Sequence, residues 1–398
     1  MKKKIVLAFS GGLDTSFCVP FLKEKGFDVH TVFVNTGGFS AEEEEAVKNR
    51  ALMLGASVHK CIDAVDEYYK KGIRFLIYGN VLKNSTYPLS VSSERIFQAL
   101  KVLEYVKKVK AGYVAHGSTG AGNDQVRFDI VFDVLAPEVK IIAPVRDHNF
   151  QRKYEIEYLK QRGFNYSWKK SRYSINQGIW GTSIGGVETL SSDGYLPEEA
   201  YPHKVTKKKE SIIAIDFLKG EPVGVNGTKM KPVEAIRAVE KLAQGYGVGR
   251  DMHVGDTIIG IKGRVGFEAA AAMIIIKAHH LLEKHTLVKD QLNWKDHISS
   301  FYGQMVHEAR YLDPTARDME AFLESTQRKV TGTVYVRLRP YSFQVLGCKS
   351  DFDLMANSFA KYGEDNKSYT AQDVIGFTKV IANPLRIYYN VAQKTKGQ

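Results

Sequence analysis

The sequence predicts an α/β protein: a nucleotide-binding domain built on a parallel sheet, followed by a second, α+β domain. Two observations support this prediction. Short apolar strands alternate with helical patterns in the first half of the chain, whereas glycine-rich loops, strands and one long apolar helix follow in the second. We expect domains over 1–168 and 169–372 and a C-terminal oligomerisation tail over 373–398.

The first half alternates strands with helices in chain order. The predicted strands are 4–9, 29–34, 58–62, 113–116 and 141–142, and the predicted helices are 14–25, 40–54, 66–82 and 93–109. A capping box formed by Ser40 and Glu43 marks the start of the second helix. Ligands of such sheets bind at the carboxyl ends of the strands, so we expect the loops 10–13, 35–38 and 117–122 to lie together.

The second half has a different pattern. Glycine-rich loops begin near residue 173, an apolar helix is predicted over 269–282, and a hairpin over 330–347. The tail from Asp373 is too apolar for a free terminus, which predicts packing between subunits.

Composition narrows the function classes. With 44% hydrophobic and 25% charged residues the chain is typical of globular proteins, and no apolar run approaches the roughly 20 residues that span a bilayer. The N-terminus shows no signal peptide, so a cytoplasmic location is expected. Cys18, Cys61 and Cys348 are too far apart for a CxxC site. The net charge of +12 suits either nucleic acid or an enzyme that handles polyanions such as ATP.

The segment AFSGGLDTS, residues 8–16, joins the first strand to the first helix. Adjacent glycines let backbone N–H groups close on phosphate oxygens, and a helix N-terminus favours negative charge. The segment lacks the Lys of GxxxxGK[ST] and the spacing of GxGxxG, which disfavours γ-phosphate hydrolysis and dinucleotide binding. Asp14 either caps the helix or holds Mg²⁺ beside phosphate. In the alternative interpretation, Gly11 and Gly12 only shape a turn.

A second glycine-rich loop follows the strand at 113–116. In HGSTGAGNDQVRFD, residues 116–129, Asn123 and Arg127 share one helical face and suit carboxylates and a ureido group. Taken alone, the segment is more typical of a surface loop in which Arg127 forms a salt bridge. His279, His280 and His285 do not share a helical face, so ordinary packing is expected there and no metal site is predicted.

The loop SGGLDTS resembles the pyrophosphate loop of the N-type ATP pyrophosphatases, which have an adenine nucleotide alpha hydrolase-like fold. With HGSTGAGNDQVRFD and four further motifs, the chain resembles the argininosuccinate synthase family over nearly its full length. The further motifs are YPLSVSSER at 87–95, YSINQGIWGTS at 173–183, GVGR at 247–250 and TQRKVTG at 326–332. The resemblance implies that MgATP adenylates the ureido oxygen of citrulline and that the aspartate amine then displaces AMP. It also implies a homotetramer that acts on small molecules in arginine biosynthesis, without nucleic acid or membrane.

The resemblance also implies site residues. ATP is expected to contact Ala8, Phe9, Ser10, Gly11, Gly12, Leu13, Asp14, Thr15, Ser16, Val34 and Gly117. Aspartate is expected at Thr119, Asn123 and Asp124, and citrulline at Tyr87, Ser92, Asn123, Arg127, Ser174, Ser183, Gly255 and Phe267. The expected catalytic residues are Asp14, Ser16, Asn123 and Arg127.

The chain departs from the family pattern in the acceptor pocket. The family places a Glu and a Tyr where this chain has Gly255 and Phe267; Phe9 and Ala121 replace a Tyr and a Lys elsewhere. Because a Glu there suits the α-ammonium of citrulline, its loss predicts an N-acylated citrulline, with Gly255 leaving room for the acyl group. Alternatively, Asp256 supplies the carboxylate and Phe267 packs where the Tyr does.

A rival function is a tRNA-modifying ATP pyrophosphatase, which the basic charge favours. The sequence shows no paired cysteines for sulfur transfer and no appended RNA-binding module.

Overall fold

The computed structural model describes residues 2–166, 173–363 and 366–394, and the chain divides into two compact units, 1–350 and 351–398. The first unit begins with a parallel sheet in the order β3-β2-β1-β4-β5, which confirms the predicted alternation. Its strands are β1 (Lys3–Ala8), β2 (Phe27–Asn35), β3 (Val58–Asp63), β4 (Tyr113–Ala115) and β5 (Lys140–Ile142).

Helices cover both faces of this sheet. They are α1 (Leu13–Glu24), α2 (Ala41–Met53), α3 (Val65–Tyr68), α4 (Arg74–Tyr78), α5 (Ser90–Lys108), α6 (Asp124–Leu135), α7 (Pro144–Asp147) and α8 (Arg152–Gln161). Successive β1 side chains point to opposite faces: Leu7 belongs to a core with α1 and α8, and Val6 to one with α5 and α6. Burial on both faces explains why β1 is a continuous apolar run.

The helix expected over 66–82 is not continuous. Between α3 and α4 the chain forms a π-helical segment, Tyr69–Ile73, and α4 ends at Tyr78. Gly72 lies against Phe97, where a Cβ would be 2.7 Å from the ring, and Asn80 takes a left-handed conformation with φ 47°. Tertiary packing therefore overrides the helical pattern. The capping box of Ser40 and Glu43 forms as predicted.

The rest of the first unit contains two antiparallel sheets, in the orders β11-β12-β7-β6 and β10-β9-β8-β13-β14. Their strands are β6 (Ser174–Gly178), β7 (Gly181–Gly185), β8 (Ser211–Leu218), β9 (Glu221–Val225), β10 (Thr228–Lys229), β11 (Arg250–Asp256), β12 (Lys262–Glu268), β13 (Gly332–Arg339) and β14 (Ser342–Lys349). The accompanying helices are α9 (Pro232–Ala243), α10 (Ala270–Thr286), α11 (Lys289–His307) and α12 (Pro314–Thr326). The predicted apolar helix corresponds to α10, and the predicted hairpin to β13 and β14.

The second unit contains a long helix, α13 (Ala371–Lys394). Its apolar side chains are exposed, including Ile381 at 60% and Leu385 at 63%. The domain boundary expected at 168/169 lies outside the described residues, and the expected domain limits stay predictions. None of the helices in the described ranges is both long and apolar enough to cross a membrane.

Candidate active site

A cavity of about 1050 Å³ opens at the carboxyl ends of β1, β2 and β4. It lies where the strand order reverses, between β1 and β4, which is where such sheets bind ligands. The loops after these strands approach closely, since a Cβ at Gly117 would lie 3.0 Å from the backbone nitrogen of Thr15. The predicted meeting of the first and third loops is confirmed.

The first loop shapes the floor of the cavity. Gly11 has φ 76°, a conformation that favours glycine, and α1 begins two residues later at Leu13. The Ser10 and Thr15 hydroxyls lie 3.2 Å apart, and the Gly12 N–H donates to Ser10 Oγ at 3.3 Å. Of the residues expected to contact ATP, all but Ser16 line the cavity. Ser16 is buried and donates to the Gly11 carbonyl at 3.5 Å, so it supports the loop from behind.

Asp14 meets a second carboxylate that sequence reasoning missed. Glu155, on α8, is buried, and its Oε2 has no hydrogen-bond partner in the described part of the chain. Burial and the charge of Asp14 raise the pKa of Glu155 to about 8. When ionised, Asp14 and Glu155 offer carboxylate oxygens beside a phosphate loop, which is the kind of ligand that Mg²⁺ prefers, although of the two only Asp14 lines the cavity. No local motif marks Glu155, because only the packing of α8 on α1 brings it there.

The predicted aspartate residues divide between two positions. Thr119 and Asp124 line the cavity, and Asp124 accepts from Arg95 Nε at 3.0 Å and Arg127 at 3.1 Å. Asn123 does not line it; its Oδ1 accepts from the Ile258 N–H at 2.9 Å, in the turn between β11 and β12. That turn therefore lies over Asn123.

Glu94 is a further residue of the cavity wall that sequence reasoning did not select. It accepts from Arg95 at 3.0 Å and from Gln98 Nε2 at 2.7 Å. Burial raises the pKa of Glu94 to about 7, against the lowering effect of Arg95. The sequence signal that could have identified Glu94 is its position in the motif YPLSVSSER.

We expect Glu94→Gln to change how stability depends on pH. Because the folded-state pKa of Glu94 is raised, its contribution to stability is fully present below about pH 4.5 and is lost as pH rises towards 7, by roughly 3 kcal/mol. The thermal midpoint of the variant should therefore rise relative to the parent by at least about 2 °C between about pH 5 and pH 8. Thermal unfolding of both proteins across this range tests the prediction, and parallel curves would contradict it.

The predicted citrulline residues gather mainly beside the cavity. Ser174 lines the cavity, whereas Ser183 is buried opposite Phe267 on the paired strand. Four others join two histidines in a buried group, here called the acceptor cluster: Tyr87, Ser92, Arg127, His253, Phe267 and His307. Asn123 contacts Ile258, and Gly255 lies beside His253.

Arg127 holds the acceptor cluster together. It donates to Ser92 Oγ at 3.1 Å, to Asp124 at 3.1 Å, and to the His307 carbonyl at 3.1 and 3.3 Å. The His307 ring contacts Ser92 Oγ at 3.3 Å. Burial lowers the pKa of His307 to about 3, so this ring is neutral near pH 7. Sequence reasoning missed His307, which is distant in the chain and reaches Arg127 from the end of α11.

The structure changes both interpretations of the positions at which the predicted citrulline pocket differs from the family. The Asp256 carboxylate is 67% exposed and pairs with Lys262 at 2.7 Å, so the prediction that it replaces the missing Glu is wrong. Gly255 does not leave open space, because a Cβ there would lie 2.9 Å from His253 Nε2 and 3.1 Å from Asn84 Nδ2. Phe267 packs on Tyr87, with 5.4 Å between ring centroids.

Two histidine-containing groups bear on metal binding. The His279 ring nitrogens contact Asn80 Oδ1 at 2.6 Å and Gln327 Oε1 at 2.8 Å, which agrees with the packing role predicted for it. His203, Glu240 and Glu268 bring ligand atoms within 4.8 Å of one another. However, Glu268 accepts from Arg250 at 2.9 Å and Glu240 from the Ala271 N–H at 2.8 Å, so these carboxylates already have partners.

Comparison with known families gives the decisive observation. The model of the arginosuccinate synthase N-terminal HUP domain matches residues 4–165, and that of the arginosuccinate synthase C-terminal domain matches 173–388. The chain belongs to the argininosuccinate synthase family. Argininosuccinate synthases similar to it include that of Methanocaldococcus jannaschii, 39% identical over 95% of this chain and 96% of the relative. The corresponding values are 37%, 95% and 96% for Dictyoglomus thermophilum, and 34%, 98% and 99% for Xanthomonas campestris pv. campestris.

Membership of the argininosuccinate synthase family confirms the resemblance and makes the chain an ATP-dependent ligase. The HUP domain corresponds to the parallel sheet with its cavity, and the antiparallel sheets belong to the C-terminal domain of the family. The roles of individual site residues stay predictions.

Proposed function

We propose that this chain catalyses the argininosuccinate synthase reaction at the cavity beside β1 and β4, in arginine biosynthesis. The observation that supports it most is the SGGLDTS loop at the N-terminus of α1, with Asp14 facing the cavity beside Glu155. Backbone N–H groups and the helix dipole there suit a departing pyrophosphate.

The first step adenylates the acceptor. The ureido oxygen attacks the α-phosphorus of ATP, the bond to the bridging oxygen of the β-phosphate breaks, and pyrophosphate leaves towards residues 10–16. The Ser10 and Thr15 hydroxyls can donate hydrogen bonds to the pyrophosphate. Because a urea carbon is resonance-stabilised and resists amines, conversion of its oxygen into a phosphate leaving group makes the next step feasible. Pre-orientation and charge stabilisation supply the catalysis, without a covalent enzyme intermediate.

The carboxylates of Asp14 and Glu155 fit Mg²⁺ bound with ATP. When bound, the ion would neutralise phosphate charge, which explains why two acidic side chains lie in a loop built for anions. A bound ion would also offer a partner to Glu155 Oε2, which has none among the described residues.

The second step joins aspartate to the adenylated carbon. The aspartate amine attacks that carbon, the bond from carbon to the AMP oxygen breaks, and the nitrogen loses a proton. Thr119, Asn123 and Asp124 would bind aspartate, and Asp124 links this subsite to the acceptor cluster through Arg127. Asn123 must exchange its contact with Ile258 for the substrate.

Product analysis tests this function. Incubation with ATP should yield AMP and pyrophosphate only when aspartate and a ureido acceptor are both present. Formation of ADP, or AMP release that requires RNA instead of aspartate, would contradict the proposal; the latter would favour the tRNA-modifying alternative.

We also propose that the protein is cytoplasmic and that α13 mediates its assembly into a homotetramer. Exposed apolar side chains such as Ile381 and Leu385 lie one turn apart on this helix, and a second copy of the chain is the partner that the family resemblance implies. Ile381→Asp with Leu385→Asp should reduce the native mass from about four chains to fewer, measured by light scattering. Lys379→Gln on the same helix is the control and should leave the mass unchanged. A monomeric parent protein would contradict the proposal.

A further inference from the structure

The acceptor cluster contains a buried imidazole without a partner. His253 is 6% exposed and stacks on Tyr87, with 5.2 Å between ring centroids and 26° between the rings. Its Nδ1 is buried and has no hydrogen-bond partner within the described ranges. Buried polar atoms are normally paired, so an unpaired ring nitrogen beside the residues predicted to bind the acceptor favours a contact that a ligand completes.

His253 fills the space that a side chain at Gly255 would need. On one strand, residues 253 and 255 point to the same face, and the His253 Nε2 lies 2.9 Å from the position of a Cβ at Gly255. The amide nitrogen of Asn84 lies 3.1 Å from the same position. Nitrogen atoms therefore occupy the space beside Gly255, where the family resemblance implies a Glu side chain.

The charges around the cluster do not suit an ammonium group. Asp124 is already shared by Arg95 and Arg127, and Asp256 points outward to Lys262. Lys83 acts electrostatically on His253, His307 and Asp256, and it forms no ion pair within 4 Å with any residue that the structure describes. An ammonium would be buried here without a free counter-charge, which is costly, whereas a carboxylate would find cations and N–H donors.

Building on the proposed function, we propose that the acceptor is a ureido acid with a carboxylate but no free ammonium group at the end remote from the ureido group. The carboxylate binds His253 and the cations beside it, and the ureido group reaches the cavity. Two sources share this chemistry: a citrulline whose α-amine is acylated, and an ω-ureido acid that has no amine. Because there is no empty space at Gly255, the His253 side chain must move to admit the acyl group of an acylated citrulline.

Acceptor comparison tests the proposal. Pyrophosphate release with ATP and aspartate is measured for citrulline, N-acetylcitrulline, N-succinylcitrulline, 5-ureidopentanoate and citrulline amide. At least one amine-free acid should exceed citrulline in kcat/KM by about 10-fold or more, and the amide should be the poorest. The acylated compounds and 5-ureidopentanoate distinguish the two sources. Preference for free citrulline would overturn this proposal and leave the proposed function intact, whereas inactivity with every acceptor would overturn both.

Variants at residue 253 test whether His253 determines the acceptor preference. His253→Leu should raise KM for the preferred acid by about 10-fold with little change in KM for ATP, and His253→Gln, which keeps an N–H donor, should restore part of it. His253→Leu with Gly255→Glu clears the space and adds the carboxylate, so it should shift the preference towards citrulline by about 100-fold. Unchanged acceptor preference in a double variant with the parent's thermal midpoint would contradict the assignment.

Discussion

Asp14→Asn should lower the rate of pyrophosphate release by at least about 1000-fold. Asp14 lines the cavity at the first turn of α1 and faces Glu155, and we propose that the pair holds Mg²⁺ beside the phosphates of ATP. Removal of one charge from this pair should also raise the Mg²⁺ concentration required for half-maximal activity by about 10-fold or more. Initial rates across a magnesium titration measure both effects.

Two further variants separate this effect from damage to the fold. Glu155→Gln should weaken the magnesium response as Asp14→Asn does, whereas Glu157→Gln, on the exposed side of the same helix, should behave as the parent. Asp14→Asn keeps a side chain of the same size that can still hydrogen-bond to Glu155, so its thermal midpoint should stay near that of the parent. Parent-like activity and magnesium dependence in Asp14→Asn would contradict the proposed role.

Arg127→Ala should abolish ligation and also destabilise the protein. Arg127 is 3% exposed and donates to Ser92, Asp124 and the His307 carbonyl, so its removal leaves buried acceptors unpaired. Breaking a fully buried ion pair costs roughly 3–5 kcal/mol, and the cost here should be smaller because the Asp124 side chain is 36% exposed and keeps its contact with Arg95. We expect a lower thermal midpoint and a loss of kcat/KM for the acceptor of at least about 1000-fold.

Arg127→Lys keeps the charge without the guanidinium fork and should give a smaller loss of about 10-fold to 100-fold. ATP binding by this variant, measured by calorimetry, should stay near that of the parent, because Arg127 does not line the cavity where ATP is expected. An unchanged KM for the acceptor in Arg127→Lys would contradict the proposed contact between Arg127 and the acceptor.

The sheet edge that forms the cavity is predicted well from the sequence. Apolar runs such as 4–9 identify strands buried on both faces, and the carboxyl ends of parallel strands necessarily meet at one edge. The loops after β1 and β4 are therefore expected at the same place, and the structure brings Thr15 and Gly117 together there.

Contacts that depend on tertiary packing escape sequence reasoning. Glu155 reaches Asp14 only because α8 packs on α1, and His307 reaches Arg127 from the end of a distant helix. Gly255 suggests empty space, yet the side chain two residues earlier on the strand fills it. Such contacts are set by side-chain conformation and by long-range packing, which local patterns do not encode.

Isotope transfer tests the central claim most directly. When the acceptor carries ¹⁸O in its ureido group, attack of that oxygen on the α-phosphorus of ATP places the label in AMP after aspartate displaces it. Mass spectrometry of the products should therefore find ¹⁸O in AMP and none in pyrophosphate. Unlabelled AMP, or release of the label as water or inorganic phosphate, would contradict adenylation of the acceptor at this site.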